Sequence, residues 1–452
     1  MGKVCVIGAG SSGIASCQVL QARGIDFDCF ETGSGVGGNW RYDNDNGMSS
    51  AYRSLFINTS RRMMQYASYP MPGSYPDYPH HEQIAAYFDD YVDHFGFRDR
   101  IRFNTEVERV EPAGDGRWTV TTSDGESGVY EAVFVANGHH WNPKWPDPPF
   151  PGQDGFSGEQ IHSHHYREPD ERFQDKRVLV LGIGNSATDI SVEISRVAEM
   201  TYLAMRRGAH VIPKYIAGKP TDELAPEWMS HLPFQVTRWF FTRQLKQIQG
   251  SMEAYGLPKP DHKLGEAHPT ISSDLLPRIG HGRITPKPNV ARIDGGTVHF
   301  VDGSSADIDT IVWCTGYRIT FPFLDSQVMA AEGNHVPLFR RVVHPGRPGL
   351  YFIGLVQPLG AIMPIAELQS EWIADVLEAK VALPDAPSMR AEIAAEEAAM
   401  RRRYIASTRH TIQVDFHPYM RLLREERKRS EGVLHPLGRS PATREATPAT
   451  TP

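Results

Sequence analysis

At two places the chain runs through four apolar residues, breaks into glycine, and resumes with small and apolar residues at helical spacing. Val4-Cys5-Val6-Ile7 leads into Gly8-Ala9-Gly10-Ser11-Ser12-Gly13, and Val178-Leu179-Val180-Leu181 leads into Gly182-Ile183-Gly184-Asn185-Ser186-Ala187. A short apolar run closed by glycine predicts a strand buried on both faces, as parallel sheets require. Each unit therefore reads strand–turn–helix, the context that turns a glycine pattern into a dinucleotide fingerprint. A second pair of stretches behaves alike. Glu131-Ala132-Val133-Phe134-Val135-Ala136-Asn137-Gly138 and Asp309-Thr310-Ile311-Val312-Trp313-Cys314-Thr315-Gly316 each pass from an acid through a buried strand to a glycine turn. The two pairs repeat at nearly one offset, which argues for two copies of a single nucleotide-binding unit.

Elsewhere the pattern is mixed. Residues 81–95 carry Ile84, Tyr87, Phe88, Tyr91 and Val92 at helical spacing, and 102–135 alternate as strands with a turn at Asp124-Gly125. From 49 to 79 the text is rich in aromatics, methionine and proline without a period, which predicts an irregular segment lining a ligand. Residues 143–158 read as a connector into the second nucleotide fold, which ends near 318. Inside that fold, 218–282 form an insertion whose middle, 236–248, sets Trp239, Phe240 and Phe241 among Arg238, Arg243 and Lys246. Such a helix suits a membrane surface, the roof of a substrate channel, or ordinary packing on the protein's own surface. Beyond 319, a strand at 351–355, a helix at 366–380 and charged helices over 387–429 are expected. The tail, 429–452, has Ser, Thr, Pro and Arg without apolar period and is expected to be disordered.

The expected architecture is α/β, with two Rossmann-like dinucleotide-binding domains. Residues 1–165 form the first part of one domain, 166–318 form the other as an insertion, and 319–428 return to the first.

Composition narrows the chemistry. The chain has 452 residues, 40% hydrophobic and 22% charged, with a net charge of −7, which discourages nucleic-acid binding. No apolar run approaches the ~18 residues of a membrane span. The chain enters a strand by Lys3, so no signal peptide is expected. Four cysteines (Cys5, Cys17, Cys29, Cys314) make no disulfide framework and no CxxC, which removes the dithiol of disulfide reductases. A reducing cytoplasm is the expected compartment.

The end of each second strand distinguishes the ligands. After the first fingerprint, Asp28-Cys29-Phe30-Glu31 places a carboxylate where a ribose 2′-hydroxyl is bound, so that site reads as FAD. After the second, Arg206-Arg207 suits a 2′-phosphate, so that site reads as NADPH; a merely solvated pair is the plain alternative. A second glycine turn, Gly33-Ser34-Gly35-Val36-Gly37-Gly38-Asn39-Trp40, lets backbone approach the pyrophosphate or flavin, with Trp40 as a wall.

Between the two folds stands Phe156-Ser157-Gly158-Glu159-Gln160-Ile161-His162-Ser163-His164-His165-Tyr166, which matches FxGxxxHxxxY, the mark of the flavin-containing monooxygenases. Gly37-Gly38-Asn39-Trp40-Arg41-Tyr42, Asn58-Thr59-Ser60-Arg61-Arg62-Met63-Met64, Phe321-Pro322-Phe323-Leu324-Asp325 and Ile353-Gly354-Leu355-Val356-Gln357-Pro358-Leu359-Gly360-Ala361 resemble family blocks in family order, over roughly residues 1–380. Asn137, where threonine is usual, and Ala187, in place of the last fingerprint glycine, are the departures. No counterpart of the animal relatives' C-terminal anchoring helix is expected, in which the chain resembles the soluble bacterial type.

The resemblance implies that NADPH reduces FAD and that dioxygen adds to give a C4a-hydroperoxide. An amine nitrogen or sulfide sulfur takes the distal oxygen, leaving an N-oxide or S-oxide and water. Asn58 aligns with the active-centre asparagine; an amide donates and accepts without a titratable proton, and a turn asparagine is the alternative. Thr59 and Gln357 are implied to line the flavin, and Val107, after a strand over 102–106, to meet adenine through its backbone. Gly8, Gly10, Ser11, Ser12, Gly13, Glu31, Gly38, Asn39 and Trp40 complete the FAD set. Gly182, Gly184, Asn185, Ser186, Arg206 and Arg207 form the NADPH set. The histidines of the linker position the joint between domains and no metal is expected; His80-His81 and His139-His140 read as surface or turn residues. A homodimer is implied. Ketone (Baeyer–Villiger) oxygenation is the rival activity, disfavoured because Tyr166-Arg167 stands where that family has tryptophan followed by proline or aspartate. A flavin reductase is a more distant rival.

Overall fold

A computed structural model describes residues 2–224, 229, 231, 234–404 and 411–429. The expected disordered tail lies, beyond Arg429, outside the described residues. Strands β1 (Val4–Ile7), β2 (Phe27–Phe30), β3 (Ile101–Arg102) and β7 (Ala132–Val135) join Leu350–Phe352 in a parallel sheet ordered 350–352, β7, β1, β2, β3. All four residues of β1 and of β7 are buried, which is what an apolar run between two covered faces demands. A second parallel sheet has the order Ile284–Lys287, Met200–Ala204, Arg177–Leu181, Thr310–Trp313, Glu159–His162. The outer strand of the first sheet is contributed by Leu350–Phe352, after the whole second sheet, so the second fold is inserted into the first.

Helix α1 (Ser11–Ala22) follows β1 and packs beneath α7 (Met363–Leu377), which is buried along almost its whole length; Ser16 and Ser370 hydroxyls meet at 2.9 Å between them. On the opposite face lies an antiparallel meander, β4 (Val107–Pro112), β5 (Trp118–Thr122) and β6 (Ser127–Tyr130). Val110, Trp118, Val120 and Tyr130 point from it into a core shared with Val133 and Val135. The second fold repeats the device with Val290–Asp294, Thr297–Phe300 and Ser305–Asp307. The duplication inferred from spacing thus extends to the meanders.

Helix α3 (His81–Phe95) buries Ile84, Tyr87, Phe88, Tyr91 and Val92, the residues its period selected. It starts at a capping box between His80 and Gln83 and stops at Gly96 in the left-handed region. The irregular segment before it holds one short helix, α2 (Arg61–Met64). In the second fold, α4 (Asn185–Ile194) follows the fingerprint, and the insertion supplies α5 (Phe234–Gln249) and α6 (Leu275–Gly280). Helix α5 packs on the protein's own surface through Leu245 and Phe241, against Ile212 and Ile216, and leaves Trp239 and Phe240 58% and 57% exposed. Helices α8 (Ala386–Arg403) and α9 (Phe416–Glu426) close the chain around Arg340, whose guanidinium binds Glu392, Glu396 and Glu426. Among the described residues no helix is long and apolar enough to cross a membrane.

Two boundaries differ from expectation. Glu159–His162 already pairs in the second sheet, so by strand pairing the inserted unit begins before 159 rather than at 166. The strand expected over 102–106 is confined to Ile101–Arg102, and Val107 opens β4 instead. Residues 104 and 105 leave the sheet to bind Gly33 and Glu31 through their amides, which ends the strand early.

Candidate active site

The first fingerprint is shaped by close approach. A Cβ on Gly13 would fall 1.7 Å from the Gly8 carbonyl oxygen, so no side chain fits there. Gly8 has a φ of +97° and lies against Ala136, at the end of β7. The second fingerprint repeats the contact, with Gly182 at a φ of +140° against Cys314. Gly10 and Gly184 are the N-caps of α1 and α4, and neither helix start is capped by a side chain. Two helix N-termini with free amides behind glycine turns are what a pyrophosphate binds.

Three distant stretches meet at the start of α1. The amide of Gly37 donates to Ala9 O at 3.0 Å, and Gly38 faces Gly10 across the gap, so the second glycine turn docks on the first. Gly354, at a φ of +73°, leaves no room for a Cβ, which would lie 1.9 Å from Ser12 Oγ. Thr59 Oγ1 donates to Gly360 O at 3.4 Å. The predicted residues Gly8, Gly10, Ser11, Ser12, Gly13, Gly38, Asn39, Trp40, Thr59 and Gln357 therefore belong to segments brought to one place. Val107 is tied to the same rim indirectly, since Thr105 N donates to Glu31 O at 2.9 Å.

Two of these side chains are already engaged. Glu31, 4% exposed, accepts from Ala9 N and Gly33 N at 2.7 Å each, from Thr32 Oγ1 at 3.2 Å and from Asn46 Nδ2 at 3.3 Å. Four donors match the capacity of a carboxylate, so Glu31 fixes the glycine turns. Asn39 Oδ1 accepts from the amide and hydroxyl of Ser50, leaving its Nδ2 for other work.

Asn58 is half-buried, and its Oδ1 is shielded from solvent without a partner. A buried, unmated acceptor costs free energy unless a ligand supplies a donor. Together with the uncapped helix starts it shows that the residues present fit a bound dinucleotide.

At the second fingerprint, Ser186 lies in the first turn of α4, and Asn185 Oδ1 accepts from Ile271 N at 2.8 Å, tying the insertion to that turn. Arg206 and Arg207 follow Met200–Ala204 and are exposed. They are not equivalent: Arg207 pairs with Asp261 at 3.2 Å, whereas Arg206 makes no ion pair among the described residues.

The linker motif proves to be a joint. Phe156 is in the second domain's core, and a Cβ on Gly158 would strike Asp309 O at 2.2 Å. His162 is fully buried and its Nδ1 accepts from His164 N at 3.1 Å; burial lowers its pKa to about 4, so it is neutral. His164 reaches Gly47 O in the first domain at 3.3 Å, and Tyr166 Oη donates to Glu193 of α4 at 2.9 Å. Alongside, Tyr52 Oη donates to Asp189 of α4 at 2.6 Å, and burial pushes the Asp189 carboxyl up to about 6. His81 stands at the start of α3 as expected but is not a surface residue, whereas His139 is half-buried in a bend. His81 is buried and stacks on Tyr42 at 5.3 Å, while burial holds His139 well below the usual imidazole range. Sequence reasoning did not single out Tyr52, Asp189, Lys214 or Asp222, which lack any motif and acquire their place only through domain contact.

The family profile described as FMO-like, flavin-binding monooxygenase-like, matches residues 1–429. Flavin-containing monooxygenase 5 of Oryctolagus cuniculus is 39% identical over 432 residues, covering 92% of this chain and 80% of that one. Dimethylaniline monooxygenase [N-oxide-forming] 2 of the same organism is 36% identical over 409 residues, covering 86% and 76%. Among solved structures, S-allyl-L-cysteine S-oxygenase from Allium sativum superposes with a TM-score of 0.72 at 28% identity, covering 95% of this chain and 89% of that one. The chain belongs to the flavin-binding monooxygenase family, as an FAD-containing, NADPH-dependent monooxygenase.

Proposed function

We propose that the protein oxygenates soft nucleophiles, an amine nitrogen or a sulfide sulfur, with FAD on the first fingerprint and NADPH on the second. The overall reaction consumes substrate, NADPH, a proton and dioxygen, and yields the N-oxide or S-oxide, NADP and water. FAD, when bound, supplies the redox chemistry; the chain binds, orients and keeps the site dry. Gly8, Gly10, Ser11, Ser12 and Gly13 would hold its pyrophosphate at α1, with Gly38, Asn39, Trp40, Thr59 and Gln357 toward the ring and Glu31 and Val107 toward the adenosine. Gly182, Gly184, Asn185 and Ser186 would hold the nicotinamide dinucleotide, and Arg206 its 2′-phosphate.

One observation carries the reading: the buried, unmated Oδ1 of Asn58, on an amide that cannot release a proton. Arg167, the cation beside the linker motif, is committed to Ser49 O at 3.1 Å and His164 O at 2.7 Å. It is thereby withheld from the role that ketone oxygenation asks of a cation. The relatives named for N-oxide formation and S-oxygenation agree with this choice.

The test is product analysis by mass spectrometry with NADPH and a panel of a tertiary amine, a thioether and a cyclic ketone. We expect the amine or the thioether to gain one oxygen. A lactone as the dominant product, or NADPH oxidation without any product, overturns the assignment. A homodimer is proposed on family resemblance, and a reducing, cytoplasmic compartment on the four scattered cysteines; light scattering of the purified protein tests the size.

A further inference from the structure

Asn58 lies in irregular backbone, yet the chain on both sides of it is held from the other domain, at the peptide before it and, one residue further on, at the Thr59–Ser60 peptide. Lys214 Nζ donates to Ile57 O at 3.1 Å, and Asp222 Oδ2 accepts from Ser60 N at 2.7 Å. Both side chains come from the stretch that follows Val211–Ile212, where the inserted fold turns back toward the first domain. Contact around them is dense. Tyr78 Oη donates to Lys214 O, Tyr215 Oη donates to Asp77 at 3.2 Å, and Arg62 pairs with Glu223 at 3.3 Å. The Lys214 ammonium sits 5.8 Å from the Phe56 ring centre and 5.1 Å from that of Tyr78. Burial lowers its pKa, and the carboxylates of Asp189 and Asp274 oppose that shift. By contrast, Asn58 Oδ1 has no partner, so the Asn58 side chain does not itself fix where it stands.

We propose that Lys214 and Asp222 are positioning residues that hold the backbone of Asn58 from either side, so that docking of the inserted domain sets where the Asn58 amide stands beside the flavin. The proposal rests on reading Asn58 as the active-centre amide. Neither residue meets the reacting atoms; both act through peptide groups. An ångström of misplacement at a reacting centre costs up to about 100-fold in rate, which makes two backbone hydrogen bonds within two residues of Asn58 consequential. Loss of position diverts the electrons: NADPH, a proton and dioxygen then give NADP and hydrogen peroxide, with no oxygen reaching substrate.

The test compares Lys214→Met, Lys214→Arg, Asp222→Asn and Asn58→Asp in the FAD-loaded full chain. FAD occupancy, thermal midpoint, the flavin difference spectrum on adding NADP, and product and hydrogen peroxide per NADPH are measured. We expect Lys214→Met and Asp222→Asn to keep FAD, to alter the difference spectrum, and to lower product per NADPH about ten-fold with a matching rise in peroxide. Lys214→Arg, which can still donate, restores most of the coupling. Unchanged coupling and spectrum in both variants overturn the proposal. So does loss of FAD and thermal stability in Lys214→Met, Asp222→Asn and Lys214→Arg alike, which marks a purely structural role. Asn58→Asp separates the two readings: if it stays coupled, the role given to Asn58 fails, and if it alone uncouples, only the clamp fails.

Discussion

Single residues in this protein divide the labour that their motifs suggest they share. Arg206 and Arg207 are adjacent in sequence, but Asp261 pairs with the second, and among the described residues the first makes no ion pair, which is why we propose it for the phosphate. Replacing Arg206 with alanine should raise KM for NADPH about ten-fold or more with little change for NADH, since a charge-assisted phosphate contact is worth roughly 1.5–3 kcal/mol. Arg207→Ala should do much less. Equal loss with both coenzymes, read from steady-state kinetics, refutes the phosphate assignment. The pair was legible as a cationic site; which member is available was not, because Asp261 lies in the insertion, far along the chain. Glu31 teaches the same lesson. Its position after β2 marks it from sequence, yet its bonds to Ala9, Gly33, Thr32 and Asn46 are invisible there.

Among the elements, α1 and α4 test how far the duplication goes. Gly13 has no space for a methyl group, while Ala187, its counterpart, is fully buried with its Cβ accommodated beside Gly182. Gly13→Ala should therefore cost at least about 3 kcal/mol, the upper range for overpacking, and abolish FAD retention. Ala187→Gly should cost only about 1 kcal/mol, the difference in helix propensity. Thermal melts and visible spectra of the two variants check the asymmetry. Helix α3 was legible in full because its period, its capping residues and its closing Gly96 all agree. The start of the inserted fold was not. Glu159–His162 is a short edge strand inside the linker motif, and its pairing with Thr310–Trp313 is a contact between residues some 150 positions apart.

For the whole molecule, the joint between domains is built from buried polar pairs, and one of them responds to pH. The Asp189 carboxyl holds its proton up to about 6, against an ordinary value of 3.8. Between those values the folded chain binds a proton that the unfolded chain has released, so the Asp189 contribution to stability falls as pH rises through that interval. Relative to the parent, Asp189→Asn should therefore gain stability on going from about pH 4 to about pH 7, on the order of 2 kcal/mol, at roughly 1.4 kcal/mol per pKa unit. A stability difference between the two proteins that is flat with pH would show that Asp189 is not strained by its burial beneath Tyr52. The linker motif marks this joint, but no period or motif picks out Tyr52, Asp189, Lys214 and Asp222, which matter through the surface that each domain presents to the other.

The turn at Gly354 fits against Ser12, some 340 positions earlier in the polypeptide. Synthesis proceeds from the N-terminus, so the cradle around α1 lacks one wall until the strand Leu350–Phe352 has been made and has found β7. The intervening fold, by contrast, can close its own sheet while still emerging from the ribosome. The cradle around α1 is thereby completed late in the making of each new chain, after the inserted fold.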